Sequence, residues 1–375
     1  MTQNSPILTT TRNALLDPLQ TVTGIVERRS TMPILSNVLI ENSRGQTSIL
    51  GTDLEIQTRT TAVNSNDDPD FRLTLNAKKL QDILRTLPDQ APVRFYQKAN
   101  SQLELRSGKG KYTLETLPAE DFPLMNVESG VKACFSMRQD ALREMLSQVQ
   151  YAMAVQDIRF YLNGLLMQAE GNMLRLVATD GHRLAYTQHT IDANLPPCEV
   201  ILPRKTIAEL LKLLSFPEEL VTVDFLESQI RFSARNTIVV SKIVEGKFPD
   251  YNRVIPQDND KIFQLSRVGF LTTLERVAIL ADDKTKAVNL HIAPGLMLIK
   301  YTNGKEEAQE ELEIAYQGVE LEINFNVQYL TDVLRNLHSD DVKMAFGDST
   351  RSMLLTMPDN GDFKYIVMPM SVEIV

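Results

Sequence analysis

Residues 77–87 read Ala77-Lys78-Lys79-Leu80-Gln81-Asp82-Ile83-Leu84-Arg85-Thr86-Leu87, and this segment decides the fold. Its apolar residues follow the i, i+3, i+4, i+7 pattern, which predicts an amphipathic helix. The same pattern recurs 127 residues later, from Ile207 to Leu214, and a further 123 residues on, from Leu330 to Leu337. Three matching helices at nearly constant intervals predict three tandem copies of one unit.

Other landmarks keep nearly the same interval. One apolar triplet occurs three times, as Leu15, Leu19 and Val22, as Leu142, Leu146 and Val149, and as Phe270, Leu274 and Val277. A Thr-Asp or Thr-Asn pair also recurs, at Thr52-Asp53, Thr179-Asp180 and Thr302-Asn303. An apolar-Pro pair recurs at Phe122-Pro123, Phe248-Pro249 and Met368-Pro369. Any α+β protein can show evenly spaced helices by accident, but four landmark sets in register favour a true repeat.

The predicted fold is therefore α+β, with three tandem units at residues 1–127, 128–258 and 259–375. Each unit is expected to pack two helices against sheets, because short apolar runs and alternating segments, such as the one around Ser107-Gly108, lie between the helices. The six predicted helices span residues 12–26, 76–87, 138–153, 203–214, 266–280 and 326–337.

The predicted helices carry twelve basic and seven acidic side chains, although the formal net charge of the whole chain is −9. Relatively basic helices in an acidic protein are expected if the helices face one shared anionic partner. If that partner is DNA, attraction to its phosphates would be insensitive to sequence. The alternative is that Lys and Arg are simply good helix formers.

Composition excludes several classes of protein. Hydrophobic residues at 43% and charged residues at 23% are typical of a soluble globular protein, and no apolar run approaches the roughly 20 residues of a membrane span. The N-terminus has no secretion signal, and two cysteines, Cys134 and Cys198, suit a reducing cytoplasm. The four histidines lack metal-ligand spacing, and no Gly-Lys pair belongs to a P-loop, so neither a metal site nor ATP hydrolysis is expected.

The most enzyme-like stretch is Ala178-Thr179-Asp180-Gly181-His182-Arg183-Leu184. Asp180 and His182 suggest an acid–base pair, with a nucleophile supplied from elsewhere in the chain. The more ordinary interpretation is a turn with Gly181 at its apex.

An acidic run occurs in the third unit, at Glu306-Glu307-Ala308-Gln309-Glu310-Glu311. Such a run is usually a strand edge protected from aggregation by its charge. The first unit, however, has Arg106, Lys109 and Lys111 near its own hairpin. Complementary patches on the first and third units would join two chains head to tail, and such contacts close into a ring if the rotation permits.

Several long strings, in order along the chain, resemble the beta subunit of bacterial DNA polymerase III, the sliding clamp family. They are Leu117-Pro118-Ala119-Glu120-Asp121-Phe122-Pro123, Tyr161-Leu162-Asn163-Gly164, Ala178 to Leu184, Lys247-Phe248-Pro249-Asp250-Tyr251 and Val367-Met368-Pro369-Met370. The likeness runs from about Asn13 to Met370.

The resemblance implies a non-catalytic processivity factor without a cofactor. Two chains would form a head-to-tail homodimer, a closed ring of six domains around double-stranded DNA, with helices lining the hole. The implied partners are the DNA polymerase III alpha subunit, a clamp loader, other polymerases, and repair or ligation proteins. A scaffold of the same fold that never encloses DNA is the remaining alternative.

The resemblance also implies three sets of site residues. The peptide-binding pocket would comprise Leu162, Thr179, Gly181, His182, Arg183, Leu184, Pro249, Arg253, Val254, Asn326, Tyr329, Ser352, Met368, Pro369 and Met370. The DNA contacts would be Arg29, Gln156, Arg159, Phe160 and Tyr161. The dimer contact would join Lys79, Lys109, Lys111, Tyr112 and Leu114 to Ile279, Leu280, Glu307 and Glu310.

These residue types suit the implied chemistry. Leucine, valine, proline and two flexible methionines form an adaptable apolar cleft for one or two Leu or Phe anchors. Arg183, Arg253 and Asn326 are expected to orient the peptide. The chain departs from the family pattern at Phe160, where a tyrosine is familiar, and after Met370, where it continues to Val375 instead of ending soon after an arginine.

Overall fold

The structure is a computed structural model, and it describes residues 5–27, 31–64, 68–281, 286–302 and 305–371. The chain forms two compact units. The first comprises Met1–Asp140 with Lys205–Ile243, and the second comprises Ala141–Arg204 with Val244–Val375. The middle repeat therefore contributes elements to both units.

All six predicted helices are present among the described residues. Each starts at the predicted residue or one later and ends one to four residues earlier than predicted. The helices are α1 Arg12–Thr23, α2 Ala77–Thr86, α3 Gln139–Val149, α4 Arg204–Leu213, α5 Arg267–Ala278 and α6 Val327–Asn336. None of the helices in the described ranges is long and apolar enough to cross a membrane.

Capping residues explain why α2 and α6 begin one residue later than predicted. The Asn76 side chain accepts a hydrogen bond from the Lys79 N–H at 3.0 Å, and Asn326 accepts one from the Gln328 N–H at 2.9 Å. An N-cap residue belongs to the signal that predicts a helix, although its own backbone is not helical. Here the second helices of the first and third repeats share the same cap.

The first unit contains a four-stranded and an eight-stranded sheet, and every pairing is antiparallel. The smaller sheet has the order β1 Leu8–Thr11, β6 Pro92–Lys98, β7 Gln102–Ser107 and β8 Gly110–Glu115. The larger has the order β5 Phe71–Asn76, β2 Asn37–Ser43, β3 Gln46–Thr52, β4 Ile56–Asn64, β14 Thr237–Lys242, β13 Gln229–Ala234, β12 Leu220–Phe225 and β9 Ala133–Arg138. Its main core packs α1 and α2 between the first repeat's strands, around residues such as Leu15, Leu80 and Phe95.

The second unit has the same construction. Its six-stranded sheet has the order β10 Gly164–Thr179, β11 Arg183–Pro203, β22 Asn360–Val367, β21 Met353–Met357, β20 Asp341–Phe346 and β15 Lys261–Ser266. Its four-stranded sheet has the order β18 Glu307–Glu313, β17 Leu296–Thr302, β16 Ala287–Ala293 and β19 Leu321–Asn326. Helices α5 and α6 pack against each other in this unit.

Strand register confirms the predicted repeat. Thr52 pairs with Gln57, Thr179 with Leu184 and Thr302 with Glu307, so these three pairs occupy equivalent positions in the three repeats. Strand β4, the first part of β11 and β18 are therefore equivalent. The same comparison makes β8, β14 and β22, the last strands of their repeats, equivalent to one another.

Both joints between consecutive repeats use these equivalent strands. In the first unit β4 pairs with β14, placing Ile56 opposite Ser241. In the second unit β11 pairs with β22, placing Arg183 opposite Val367. Each joint thus pairs the β4-type strand of one repeat with the last strand of the next, in the same register.

The Met368-Pro369 landmark is not equivalent to the earlier apolar-Pro pairs. Met368 directly follows β22, whereas Phe248 lies six residues after the end of β14. Phe122 lies seven residues after the end of β8, so Phe122 and Phe248 hold similar places and Met368 does not.

Candidate functional site

A cavity of about 210 Å³ lies entirely within the second unit, and most of its exposed wall is apolar. Nine of the predicted pocket residues line it. They are Leu162, Thr179, Gly181, His182, Arg183, Leu184, Pro249, Val254 and Met368. The residues that the sequence strings brought together are therefore close in space, although they are up to 206 positions apart in the chain.

The ends of three strands build the cavity. Strand β10 ends at Thr179, β11 starts beyond the turn with Leu184 in its interior, and β22 supplies Ile366. The Met368 N–H donates to the His182 carbonyl at 2.9 Å, which carries the pairing beyond β22. Met368 remains 46% exposed, so a flexible thioether side chain stands at the edge of the cavity.

The turn between β10 and β11 is fixed by its own side chains. The Thr179 hydroxyl donates to the Arg183 carbonyl at 2.6 Å and accepts from the Gly181 N–H at 3.1 Å. One carboxylate oxygen of Asp180 accepts from the N–H groups of His182 and Arg183, at 2.9 and 3.0 Å. Gly181 has φ +91°, which favours glycine.

The same hydrogen bonds occur in the first repeat, which identifies Asp180 as a turn residue. The Thr52 hydroxyl bonds the Ile56 carbonyl and the Leu54 N–H, and Asp53 accepts from the next two N–H groups. Asp180 holds the backbone in the way that Asp53 does. The turn of the first repeat does this without a histidine. An acid–base role for Asp180 and His182 is therefore not favoured.

Arg183 is anchored beneath the turn, and its side chain is only 9% exposed. Its guanidinium donates to Asp180 at 3.1 Å, to Asp332 at 2.6 Å and to the Tyr151 carbonyl at 2.8 Å. It also lies 4.4 Å from the centre of the Tyr329 ring. Burial alone lowers the pKa of Arg183, but Tyr365 and Asp332 outweigh it and hold the pKa above its ordinary value.

Six predicted pocket residues do not line the cavity: Arg253, Asn326, Tyr329, Ser352, Pro369 and Met370. Most have a contact elsewhere in the second unit. Arg253 pairs with Asp250 at 2.9 Å on the surface, Asn326 caps α6, and Tyr329 lies under Arg183. The Ser352 carbonyl accepts from Asn259, and the Met370 N–H donates to the Asn324 carbonyl at 2.8 Å.

Five residues line the cavity without having been predicted for it: Arg159, Tyr161, Phe248, Tyr251 and Ile366. Phe248 and Tyr251 belong to the same sequence motif as Pro249, so they could have been predicted from that neighbour. Ile366 had no signal of its own, because its inward direction depends on the register of β22. Arg159 and Tyr161 were predicted to contact DNA instead.

The predicted DNA contacts form a short ordered segment, except for Arg29, which lies outside the described residues. Asp157 accepts bonds from the Arg159 N–H at 2.8 Å and from its guanidinium at 2.9 and 3.0 Å. These bonds, chiefly those from the Arg159 side chain, lower the pKa of Asp157 to about 2. The segment presents Ile158 and Phe160 at 89% and 72% exposure, and Gln156 has a positive φ of 55°.

The predicted dimer contacts lie on strand edges and beside helices. Lys111, Tyr112 and Leu114 belong to β8, with Lys109 just before it, while Glu307 and Glu310 belong to β18. Among the described strands, β8 and β18 each have a neighbour on one side only. Ile279 follows α5 and is 78% exposed, and the Glu310 carboxylate bonds Arg276 at 2.8 Å. Lys79 is in the first turn of α2.

Among residues 5–27, 31–64, 68–281, 286–302 and 305–371, no group of three His, Cys, Asp or Glu side chains is arranged to hold a metal ion. The cavity therefore offers apolar contacts, backbone groups and a few polar side chains. An apolar cavity with a few polar groups is typical of a ligand-binding site.

The chain matches three protein-family descriptions in order. They are the N-terminal domain of the DNA polymerase III beta subunit at residues 7–126, its central domain at residues 136–250 and its C-terminal domain at residues 252–371.

Similar proteins and structures cover nearly the whole chain. A beta sliding clamp from Pseudomonas putida is 41% identical over 362 residues, covering 96% of this chain and 98% of the relative. That of Escherichia coli K12 is 38% identical over 364 residues, covering 96% and 99%. A Pseudomonas aeruginosa sliding clamp bound to griselimycin superposes with a TM-score of 0.93 at 40% identity, covering 97% of this chain and 99% of that one. Caulobacter crescentus pol III beta superposes at 0.91 with 34% identity, covering 97% and 100%.

Proposed function

This chain belongs to the DNA polymerase III beta subunit family, the bacterial sliding clamps, and on that premise we propose that two copies join head to tail around duplex DNA and tether other proteins to it. It is a DNA sliding clamp and not an enzyme, since this family acts as a non-catalytic processivity factor. The order of the repeats and the free strand edges carry the proposal of a head-to-tail pair.

The two joints within the chain predict the joint between chains. Each internal joint pairs a β4-type strand with the last strand of the following repeat. In the described structure the β4-type strand of the third repeat, β18, and the last strand of the first repeat, β8, have no such partner. Pairing β18 of one chain with β8 of another repeats the same joint a third time. The two edges differ, so the contact is heterologous and requires a second joint to close.

Register fixes which residues would meet. Ile56 opposite Ser241 and Arg183 opposite Val367 are equivalent to Glu306 opposite Leu114. Antiparallel pairing then places Gln309 opposite Lys111 and Glu311 opposite Lys109. The exposed faces agree, because Lys111, Gln309 and Glu311 are all exposed. The β18 edge is acidic and the β8 edge basic, so cross-strand charges support this pairing.

The helices support the same arrangement. Ile279 is equivalent in the repeat to Tyr151 and to Gly24, which lie next to the internal joints. Tyr151 accepts a bond from Arg183 there, and Gly24 lies against the Glu209 side chain. An apolar side chain that is 78% exposed at the third equivalent position is explained if a second chain covers it. This position supplies the apolar centre of the predicted contact.

We propose that the cavity binds peptides of partner proteins. Its apolar wall and the exposed Met368 suit one or two inserted Leu or Phe side chains, which would dominate the affinity. The predicted partners are the polymerase III alpha subunit, the clamp loader, other polymerases, and repair or ligation proteins. We place this work in the cytoplasm, where unpaired thiols such as those of Cys134 and Cys198 persist.

The peptide proposal is tested with a fluorescein-labelled Ser-Gly-Leu-Ser-Leu-Phe peptide and the same peptide with alanine at the three apolar positions. Fluorescence anisotropy should show binding of the first only. Met368→Ala should weaken that binding about tenfold, by the loss of one apolar contact, with little change in melting temperature because Met368 is half exposed. Equal binding of both peptides would refute anchor recognition in this cavity.

The DNA proposal is tested by retention on nicked circular DNA after loading by a cognate clamp loader. A closed ring should stay on the circle at high salt and leave once the circle is cut. Binding that is only electrostatic would instead be lost from both forms as salt rises. The second result would favour a scaffold that does not enclose DNA.

A further inference from the structure

We propose that Asp332, on helix α6 and outside the cavity, is a positioning residue for peptide binding that acts through Arg183. Arg183 then serves as the anchor of the cavity wall rather than as a contact that reaches for the peptide. This inference rests on the proposed peptide-binding function and adds a residue that neither the sequence strings nor the cavity lining assigns.

The contacts of Arg183 join three segments of the second unit. Its guanidinium donates to Asp180 in the cavity turn, to the Tyr151 carbonyl just beyond α3 and to Asp332 on α6. The bond to Asp332 is the shortest of the three, at 2.6 Å. Gln328, one turn earlier on α6, donates to the other Asp332 oxygen at 2.6 Å and fixes that carboxylate. Every guanidinium nitrogen of Arg183 therefore has an acceptor within the protein.

The first repeat shows what the turn can do without an arginine. Position 56, equivalent to Arg183, is isoleucine and is 1% exposed, yet the Thr52 and Asp53 hydrogen bonds match those of Thr179 and Asp180. Arg183 is therefore not needed to form the turn. Its guanidinium attaches an already formed turn to α6 and to the segment just beyond α3.

The carboxylate position on the helix is also repeated. Asp332 is equivalent to Glu209 on α4, and the Glu209 side chain is buried against Gly24 in the first unit. An acid at this helical position thus faces the preceding repeat at both internal joints. Only at the second joint does it bond an arginine that lines a cavity.

Loss of the Asp332 carboxylate would leave a buried guanidinium with one strong acceptor fewer. A buried charge that loses a partner regains solvation by moving, because the uncompensated charge is costly. Arg183 lines the cavity, which offers open space beside it. An arginine that moves there occupies volume and adds charge where an apolar anchor should bind.

The experiment measures the affinity of the labelled Ser-Gly-Leu-Ser-Leu-Phe peptide for Asp332→Asn, Asp332→Ala and Asp332→Glu. We expect the Asn and Ala variants to bind about tenfold more weakly, which is about 1.4 kcal/mol. The Glu variant keeps the charge and should recover most of the affinity. Asp332→Asn is nearly isosteric, so it remains informative if the Ala variant folds poorly. Glu275→Gln, which breaks the exposed pair between Glu275 and Arg335 at 2.9 Å, is the matched control and should bind normally.

A double-mutant cycle separates positioning from general destabilisation. In an Arg183→Met background, Asp332→Ala should have no further effect on peptide affinity, because its action passes through Arg183. Additive losses in the cycle, or single variants within about twofold of the unchanged protein, would overturn the inference. Failure of the unchanged protein to bind the peptide would instead count against the proposed peptide function itself.

Discussion

Asp157 organises the short segment that precedes β10. Its carboxylate bonds the backbone and the side chain of Arg159, while the Asp157 N–H donates to the Asn163 side chain at 2.9 Å. The segment therefore holds Ile158 and Phe160 toward solvent on a fixed backbone, and does not depend on them for its own packing.

We expect Asp157→Asn to speed hydrogen exchange at the Arg159 amide, because a neutral amide group is a weaker acceptor than a carboxylate. The pKa of Asp157 is lowered from 3.8 to about 2, so its stabilising contribution is complete above about pH 4 and lost as the pH falls toward 2. Exchange mass spectrometry should then show a ratio of exchange rates at this amide, variant over parent, that stays constant from pH 5 to pH 8. Asp348→Asn, which alters a similar turn at Thr350 and Arg351, should leave this segment unchanged.

The sequence motifs grouped residues that share one cavity, but they did not give the direction of each side chain. Arg183, Leu184 and Met368 line one cavity because their sequence motifs lie at strand ends that meet. Asn326 was expected to face the peptide, but it caps a helix. A sequence motif predicts that a position lies near a site. Burial and hydrogen-bond partners decide which atoms line that site.

Helix caps give a matched pair at the scale of single elements. Asn76→Ala and Asn326→Ala each remove one cap bond from equivalent helices, and each should lower the free energy of unfolding by about 1 kcal/mol. Urea titration measures both. Since Asn326 does not line the cavity, we expect neither variant to change peptide affinity. A loss of affinity confined to Asn326→Ala would restore its predicted contact with the peptide.

The proposed edge pairing of β8 and β18 has a definite register, which cysteine cross-linking can read. In a Cys134→Ser, Cys198→Ser background, a chain with Lys111→Cys and Gln309→Cys should form covalent dimers on mild oxidation, because opposite residues of antiparallel strands are close enough for a disulfide. Non-reducing electrophoresis detects them. Lys111→Cys with Ala308→Cys puts the second thiol on the other face and should cross-link poorly. The reverse ranking would mean that the strands pair one residue out of register.

The helices were predicted within a few residues because each is amphipathic and its apolar residues repeat with a 3.6-residue period over several turns. The strands were less predictable. Short runs such as Leu165-Leu166-Met167 gave no sign that β10 extends for 16 residues and β11 for 21. The irregularities around Gly171 let two strand pairs of the repeat join into one long hairpin. Which strands of different repeats pair depends on contacts that no local pattern encodes.

At the scale of the whole molecule, the proposal separates ring closure from peptide binding. Ile279→Asp places a charge in the proposed apolar contact between chains, so we expect monomers by light scattering and no retention on circular DNA. Peptide affinity should persist, since the cavity lies within the second unit of one chain. Val319→Asp alters an apolar residue of similar exposure, 75% against 78%, and should stay dimeric. Dimers of the Ile279 variant would contradict the proposed contact.

The repeated joint has a consequence for where the ring can part. If all six joints pair equivalent strands in one register, no joint is set apart by its backbone pairing, and the separable ones are those that the polypeptide does not bridge. A circular permutant with a linker between the old termini and new ends near residue 127 would turn the β8–β18 joint into a bridged one. The separable joint would then be β4–β14. A loader would have to open the ring at a joint that the natural chain bridges.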